Sequence, residues 1–276
     1  MGWHGQLHLR YRRDAERTLV HDRHDGPLRI LQSLYPEGHG VCHNVLLHPP
    51  GGIVGGDVLE VDIALDAGAH ALLTTPGATR FYRSAGRPAR QSVAARLASG
   101  ARLEWLPLET ICHRSTHADN RLRFELAPGA EMIGWDVLAL GLPASGEAFD
   151  HGRIVQQIEV PGAWLERGVV DGSDTLLLDS PLGFAGHRVL GTLWFAAGEP
   201  LHGTRREALL AAARSAAEGG DLRDTTGCTA PGDQVVVLRV LARRVEPAMQ
   251  LLINVWSRWR QSAWGLAACV PRVWRT

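Results

Sequence analysis

Four glycines at nearly equal spacing constrain this chain more than any other feature. Gly68, Gly100, Gly129 and Gly162 lie 32, 29 and 33 residues apart. Each has the same setting: a hydrophobic run, a two-residue turn ending in glycine, an alanine, and a second hydrophobic run. The runs are 58–65 and 70–75, 91–97 and 102–106, 120–126 and 131–140, and 153–160 and 164–170. Glycine supplies the positive φ that such a tight turn needs. A fixed period near 30 marks a stacked architecture, in which each unit buries its apolar face on its neighbour. The pattern predicts a mainly β chain, a stacked or β-helical strand array of about 30-residue repeats over residues 58–170. An ordinary antiparallel sandwich with similar turns is the alternative.

Outside the repeats the expected strands are 5–12, 28–33, 41–48, 175–179, 189–196 and 234–241. Two α-helices are expected in the C-terminal third, within residues 200–276. One is opened by a capping box, Thr204 with Glu207 three residues on, and is closed by Gly219-Gly220. The other begins at Pro247 and carries Leu252, Val255, Trp256, Trp259 and Ala263 on one face. No linker-like composition interrupts the chain, so residues 1–276 read as a single domain. Trp256, Trp259, Trp264 and Trp274 gather near the C-terminus, either as core or as an exposed docking surface that would make the isolated chain poorly soluble.

Composition then removes functions. Acidic and basic residues balance at 29 each, which gives no overall basic surface for nucleic acid. All 29 basic residues are arginine. Without lysine there is no Schiff-base, Walker-A or S-x-x-K chemistry, and neither H-E-x-x-H nor G-x-S-x-G occurs. No apolar run approaches the roughly 18 residues of a membrane span. The first residues lack the apolar core of a signal peptide, so a cytoplasmic location is expected. Cys42, Cys112, Cys228 and Cys269 stand apart with no C-x-x-C, which predicts free thiols.

Residues 48–57, HPPGGIVGGD, place two prolines, four glycines and a carboxylate directly before a strand. Neither phosphate-binding glycine spacing is present, so the stretch reads as a defined bend that presents Asp57 at a strand start. Asp57, Glu104, Glu131, Asp136, Glu147 and Glu166 all lie in or beside apolar strands. A buried carboxylate must be paired, hydrated or metal-bound. Arginine partners such as Arg80 and Arg83, or a wet polar interior, would satisfy them.

Taken together, HPPGGIVGGD, TPGATRFYRS at 75–84, LEWLPLETI at 103–111, WDVLALG at 135–141 with GEAF at 146–149, and PRVW at 271–274 resemble the urease accessory protein D family, also called H. The resemblance runs from about residue 40 to the end. It implies a non-enzymatic maturation factor with a largely β, helical-stack-like fold and two helices. It implies as partners accessory protein F, the GTPase accessory protein G and the urease apoprotein, with a homodimer possible within the complex. The GTP-dependent assembly places nickel, together with carbon dioxide, in urease. No permanently bound cofactor is implied, only transient nickel. The family is thought to hold an internal polar channel for the ion. The matching metal-path positions are Asp57, Asp136 and Glu166, with Thr79, Arg80, Arg83, Glu104 and Glu147 in the neighbouring motifs. Spaced oxygen ligands suit an ion that must be released again. Two other readings use the same residues: a metal-dependent hydrolase that adds His113 and His117, or an adaptor whose carboxylates are purely structural.

Overall fold

A computed structural model describes residues 2–275. β1 (His4–Asp14) and β2 (Arg17–Asp25) form an antiparallel pair, and β3 (Arg29–Ile30) leads into β4 (Val41–Leu47). Three coils follow: β5 (Val58–Leu65), β6 (His70–Thr74) and β7 (Thr79–Phe81); β8 (Ala89–Leu97), β9 (Arg102–Leu106) and β10 (Thr110–Cys112); β11 (Thr116–Leu126) and the long β12 (Glu131–Leu140). Then come β13 (Gly152–Val160), β14 (Trp164–Asp171), α1 (Thr175–Asp179), β15 (Val189–Ala197), α2 (Gly203–Glu218), β16 (Thr226–Thr229), β17 (Val235–Ala242) and α3 (Val245–Trp264).

The coils stack as the period requires. β5, β8, β11 and β13 lie parallel in a front sheet of order β14-β13-β11-β8-β5-β1-β2. β4, β6, β9 and β12 lie parallel in a back sheet, which β15, β17 and β16 extend antiparallel. β7 and β10 pair in parallel with each other, and β10 with the end of β12, forming a short third side.

The first three glycine turns are not hairpins. Each is a corner that carries the chain from front sheet to back sheet, with φ of +69° at Gly68, +68° at Gly100 and +78° at Gly129. The corners sit on one another: Gly68 N–H donates to Ser99 O at 3.2 Å, and a Cβ at Gly100 would meet Gly68 N at 3.8 Å. The fourth turn, at Gly162, is a true hairpin, because β13 and β14 pair antiparallel. It ends the stack.

Alternation decides what each sheet buries. Leu59, Val61, Ile63 and Leu65 of β5, and their equivalents along the front sheet, face Leu103, Trp105, Met132 and Leu138 of the back sheet. Ile133, Trp135, Val137, Leu193, Phe195 and Val236 face the other way, onto the helices. α3 presents Leu252, Val255, Trp256 and Trp259, all completely buried, and α2 presents Leu209 and Ala213. Among the described residues no helix covers the outer face of the front sheet. Its charged side chains pair across strands, as in His4–Glu60, His8–Asp62 and Arg123–Glu159.

Several local expectations are corrected. Residues 175–179 form a helix, because Asp174 caps it by accepting from Leu177 N–H at 3.0 Å. Among the described residues there are therefore three α-helices, two of them long. Thr204 is not a cap: α2 starts at Gly203 after His202, with no side-chain cap bond. The strand expected over 28–33 shrinks to Arg29–Ile30. Of the two expectations for the C-terminal tryptophans, core packing is the one the structure shows. Trp264 Nε1 donates to Glu131 at 2.7 Å, and Trp274 Nε1 donates to Thr74 Oγ1 at 2.7 Å while its ring stacks on Trp135 and Trp256.

Candidate functional site

The bend at 48–57 is pinned to the third side of the stack. Ile53 N–H donates to Arg80 O at 2.7 Å, and Tyr82 N–H donates to Ile53 O at 2.9 Å. A Cβ on Gly52 would stand 2.1 Å from the Tyr82 ring, so only glycine admits this approach. Asp57 fastens the other end. It is buried, and its Oδ1 accepts from Trp3 N–H at 2.8 Å while Oδ2 accepts from Val54 N–H at 3.0 Å. Both oxygens are thus committed to main chain.

Between bend and sheets lies a cavity of about 380 Å³. His48, Gly52, Thr79 and Arg80 line it, and so do Gln91, Trp105, Leu122 and Asp136 from the strands. Burial moves the His48 pKa below that of a free imidazole, against the opposing pull of the Asp57 charge.

Asp136 leads from this cavity into the core. It sits on the inner face of β12, buried, opposite an amide row on the front sheet. Gln91, Asn120 and Gln156 occupy one register position on β8, β11 and β13. Gln91 Nε2 donates to Asn120 Oδ1 at 3.2 Å, Asn120 Nδ2 to Asp136 Oδ1 at 3.5 Å, and Gln156 Nε2 to Asp136 Oδ2. Burial raises the Asp136 pKa to about 6. The nearby Glu166 charge adds to the rise, and the two amide bonds oppose it. Burial, with the Asp136 charge, also pushes up the Cys112 thiol.

On the back sheet the same register runs from Asp136 to Thr192 to Arg239. Arg239 binds Glu166 of β14, and this half-exposed pair joins the two sheets at their far edge. A polar seam therefore crosses the sandwich from the cavity to Glu166. Trp105 Nε1, Trp194 Nε1 and Gln156 Oε1 are buried without a protein partner in this same interior. Buried polar atoms of this kind are commonly satisfied by ordered water.

The remaining expected site residues lie elsewhere. Thr79 and Arg80 line the cavity, but Arg83 points into an outer pocket with Glu147. Glu104 faces the helices. It is completely buried, and it accepts from His70 Nε2 at 2.8 Å, Arg260 Nε at 3.2 Å and Trp256 Nε1 at 2.6 Å. Arg260, also completely buried, reaches Glu37, which His43 holds at 2.6 Å. His113 packs on Tyr82 beside Glu147, whereas His117 is exposed on the outer face of β11. Among the described residues no group of three or more His, Cys, Asp or Glu side chains is placed to hold a metal ion.

The amides Gln91, Asn120 and Gln156, and Arg239, were missing from the sequence-based set. Amides carry no local motif. The repeat could have found them, since stacking residues one coil apart puts Gln91 beside Asn120.

The family model for UreD urease accessory protein matches residues 4–275. The chain belongs to this family. Membership covers the first strands too, where the motifs alone show little resemblance. Among curated family members, the urease accessory protein UreD of Leptothrix cholodnii is 60% identical over 278 residues, covering all of both chains. That of Variovorax paradoxus is 59% identical over 276 residues, again end to end. That of Paracidovorax citrulli is 60% identical over 274 residues, 99% of each chain.

Proposed function

We propose that this protein serves urease maturation in the cytoplasm as a non-enzymatic scaffold and nickel conduit. It would act in a GTP-dependent complex with accessory proteins F and G and apo-urease. Family membership supports the maturation role. The polar seam is the one observation that carries the conduit.

Between two apolar sheet faces, the seam offers oxygen and amide groups spaced from the cavity at Asp136 to the half-exposed Glu166. Asp136 is its central charge and Glu166 its outer one. Each Asp136 oxygen accepts one amide bond and Glu166 Oε2 holds Arg239, so a passing hydrated cation would share these oxygens with side chains that can turn away. Hard, spaced oxygen ligands bind a divalent ion loosely enough to let it go. Asp57 shapes the entrance by holding the bend, and Arg80 and Thr79 border it. Glu104 and Glu147 lie off the path.

The test is nickel per urease after co-expression with the other accessory proteins. Asp136→Ala and Glu166→Ala should lower bound nickel without lowering urease protein or complex assembly. Glu104→Gln should act only through stability. Full nickel loading in the Asp136 and Glu166 variants would leave the scaffold role standing and remove the conduit.

A further inference from the structure

The return loops that close the three coils meet in a second, outer pocket that plays no part in the conduit. Residues 82–88 lead from β7 to β8, 113–115 from β10 to β11, and 141–151 from β12 to β13. They contribute Tyr82 and Arg83, His113, Arg114 and Ser115, and Glu147 to one open cavity of about 580 Å³. Two motifs that mark the family, FYRS and GEAF, thus converge on a site that the nickel path leaves unused.

The pocket is built and rigid at the main chain. His113 N–H donates to Phe81 O at 3.0 Å, Ser84 N–H to Ser115 O at 3.1 Å, and Ser115 N–H to His151 O at 2.8 Å. Leu142 and Glu147 exchange both backbone hydrogen bonds, at 2.8 and 3.1 Å. Ser115 is held at φ +63°, a left-handed conformation that a serine adopts at a cost. Such outliers persist where the surroundings over-determine them, often at ligand sites.

Its chemistry is one-sided. Among the described residues Glu147 is the only acidic side chain lining it, and one oxygen of that carboxylate is engaged: Oε1 accepts from Arg114 N–H at 2.7 Å and lies 3.3 Å from His113 Nδ1. Tyr82 stacks on the imidazole at 4.7 Å between ring centres. Ring and carboxylate together fix the His113 orientation, and its Nε2 is buried with no partner. Arg83 is exposed and makes no ion pair among the described residues, and neither the Tyr82 hydroxyl nor the Ser115 hydroxyl has a hydrogen-bond partner there. Arg114 adds a second guanidinium, paired with Asp150 at 2.6 Å. The Arg83 guanidinium and the Tyr82 and Ser115 hydroxyls, unpartnered among the described residues and lining one opening, make a donor set, with the His113 imidazole in its wall.

We propose that this pocket binds a small oxyanion of carboxylate or phosphate type. Arg83 supplies the forked charge, Tyr82 and Ser115 contribute hydroxyls, and His113, held by Tyr82 and Glu147, forms part of the wall. The site is independent of the nickel path, so either can fail without the other.

The experiment is calorimetric titration of the full-length protein, co-purified with its partners if needed, with inorganic phosphate and separately with acetate. The two probes distinguish tetrahedral from planar recognition. Saturable binding of either one is expected, weakened at least tenfold in Arg83→Ala and in His113→Ala, and less in Arg83→Lys. Because Arg83 has no partner to lose, Arg83→Ala should melt at the wild-type temperature. Absence of saturable binding by both anions overturns the proposal. So does binding that Arg83→Ala and His113→Ala leave unchanged.

Discussion

Arg260→Met should be the most damaging single change on the helical side of the back sheet. Arg260 is fully buried, and its guanidinium reaches Glu104, Glu37 and the Ala267 carbonyl from above the Trp256 ring. Methionine fills much of the volume but removes the cation. Glu104 then keeps only His70 and Trp256, and Glu37 keeps only His43. Removing one partner of a buried ion pair costs about 3–5 kcal/mol, because a charge is left behind without compensation. That corresponds to a fall in melting temperature on the order of 10 °C for a chain of this size.

Acid should shrink the deficit, and the sign follows from the carboxylates. Burial alone would raise the Glu104 pKa, but the hydrogen bond and charge of His70, the charge of Arg260 and the Trp256 bond together hold it below the usual value. Glu37 is likewise lowered, by His43 and Arg260 against its burial. A depressed folded pKa contributes stability above the unfolded value of about 4.5 and loses it as pH falls through the folded one. The assay is guanidinium unfolding of wild type, Arg260→Met, Glu104→Gln and the double variant, at pH 7 and pH 3.5. The single Arg260 variant should lose more at pH 7 than at pH 3.5. The double variant should lose less than the sum of the two single losses at pH 7. A single-variant loss under about 1 kcal/mol at pH 7 would refute the reasoning.

Asp136 should behave in the opposite sense. Its folded pKa of about 6 stands above the unfolded 3.8, so its ionisation withdraws stability as pH rises through 6, in all roughly 3 kcal/mol. Asp136→Asn should therefore gain on wild type between pH 4 and pH 7, with Gln156 Oε1 free to accept from the new amide; an unfolding midpoint difference that stays constant over that range would contradict this. Gly134→Ala should destabilise by about 1–3 kcal/mol or more, since its Cβ would lie 2.4 Å from the Trp194 indole, and tryptophan-monitored urea unfolding would show it.

The stacked fold was legible because Gly68, Gly100 and Gly129 must each adopt positive φ at the same place in every coil. What those turns do was not legible. A two-residue x-Gly turn looks the same locally whether it closes a hairpin, as at Gly162, or a corner, as at Gly68. Only the partner strand distinguishes them, and that partner lies a full coil away. The cap at Asp174 is hard to read because Leu176, Leu177 and Leu178 form a short apolar run, which suits helix or strand. At the site, Asp136 stood out as a carboxylate in a hydrophobic run, and the structure puts it at the centre of the polar seam. Glu104 has the same sequence signature and lies on the opposite sheet face, beneath α3. One residue of strand alternation separates it from Trp105 on the cavity wall, and which side of that strand faces the helices is settled only by long-range packing.

Front-sheet stacking also limits how this chain can change length. Gln91 lies beside Asn120, and Asn120 beside Gln156, only because each circuit of the coil returns to the same register. One residue inserted in a front or back strand would turn the later side chains of that strand to the opposite face, moving a seam amide toward solvent and an outward side chain into the core. An insertion in 82–88, 113–115 or 141–151 changes only the distance travelled outside the two main sheets. Descendants of this fold can lengthen there while the interior stays fixed, so the rim that holds Arg83, His113 and Glu147 is where new recognition can arise without refolding the conduit.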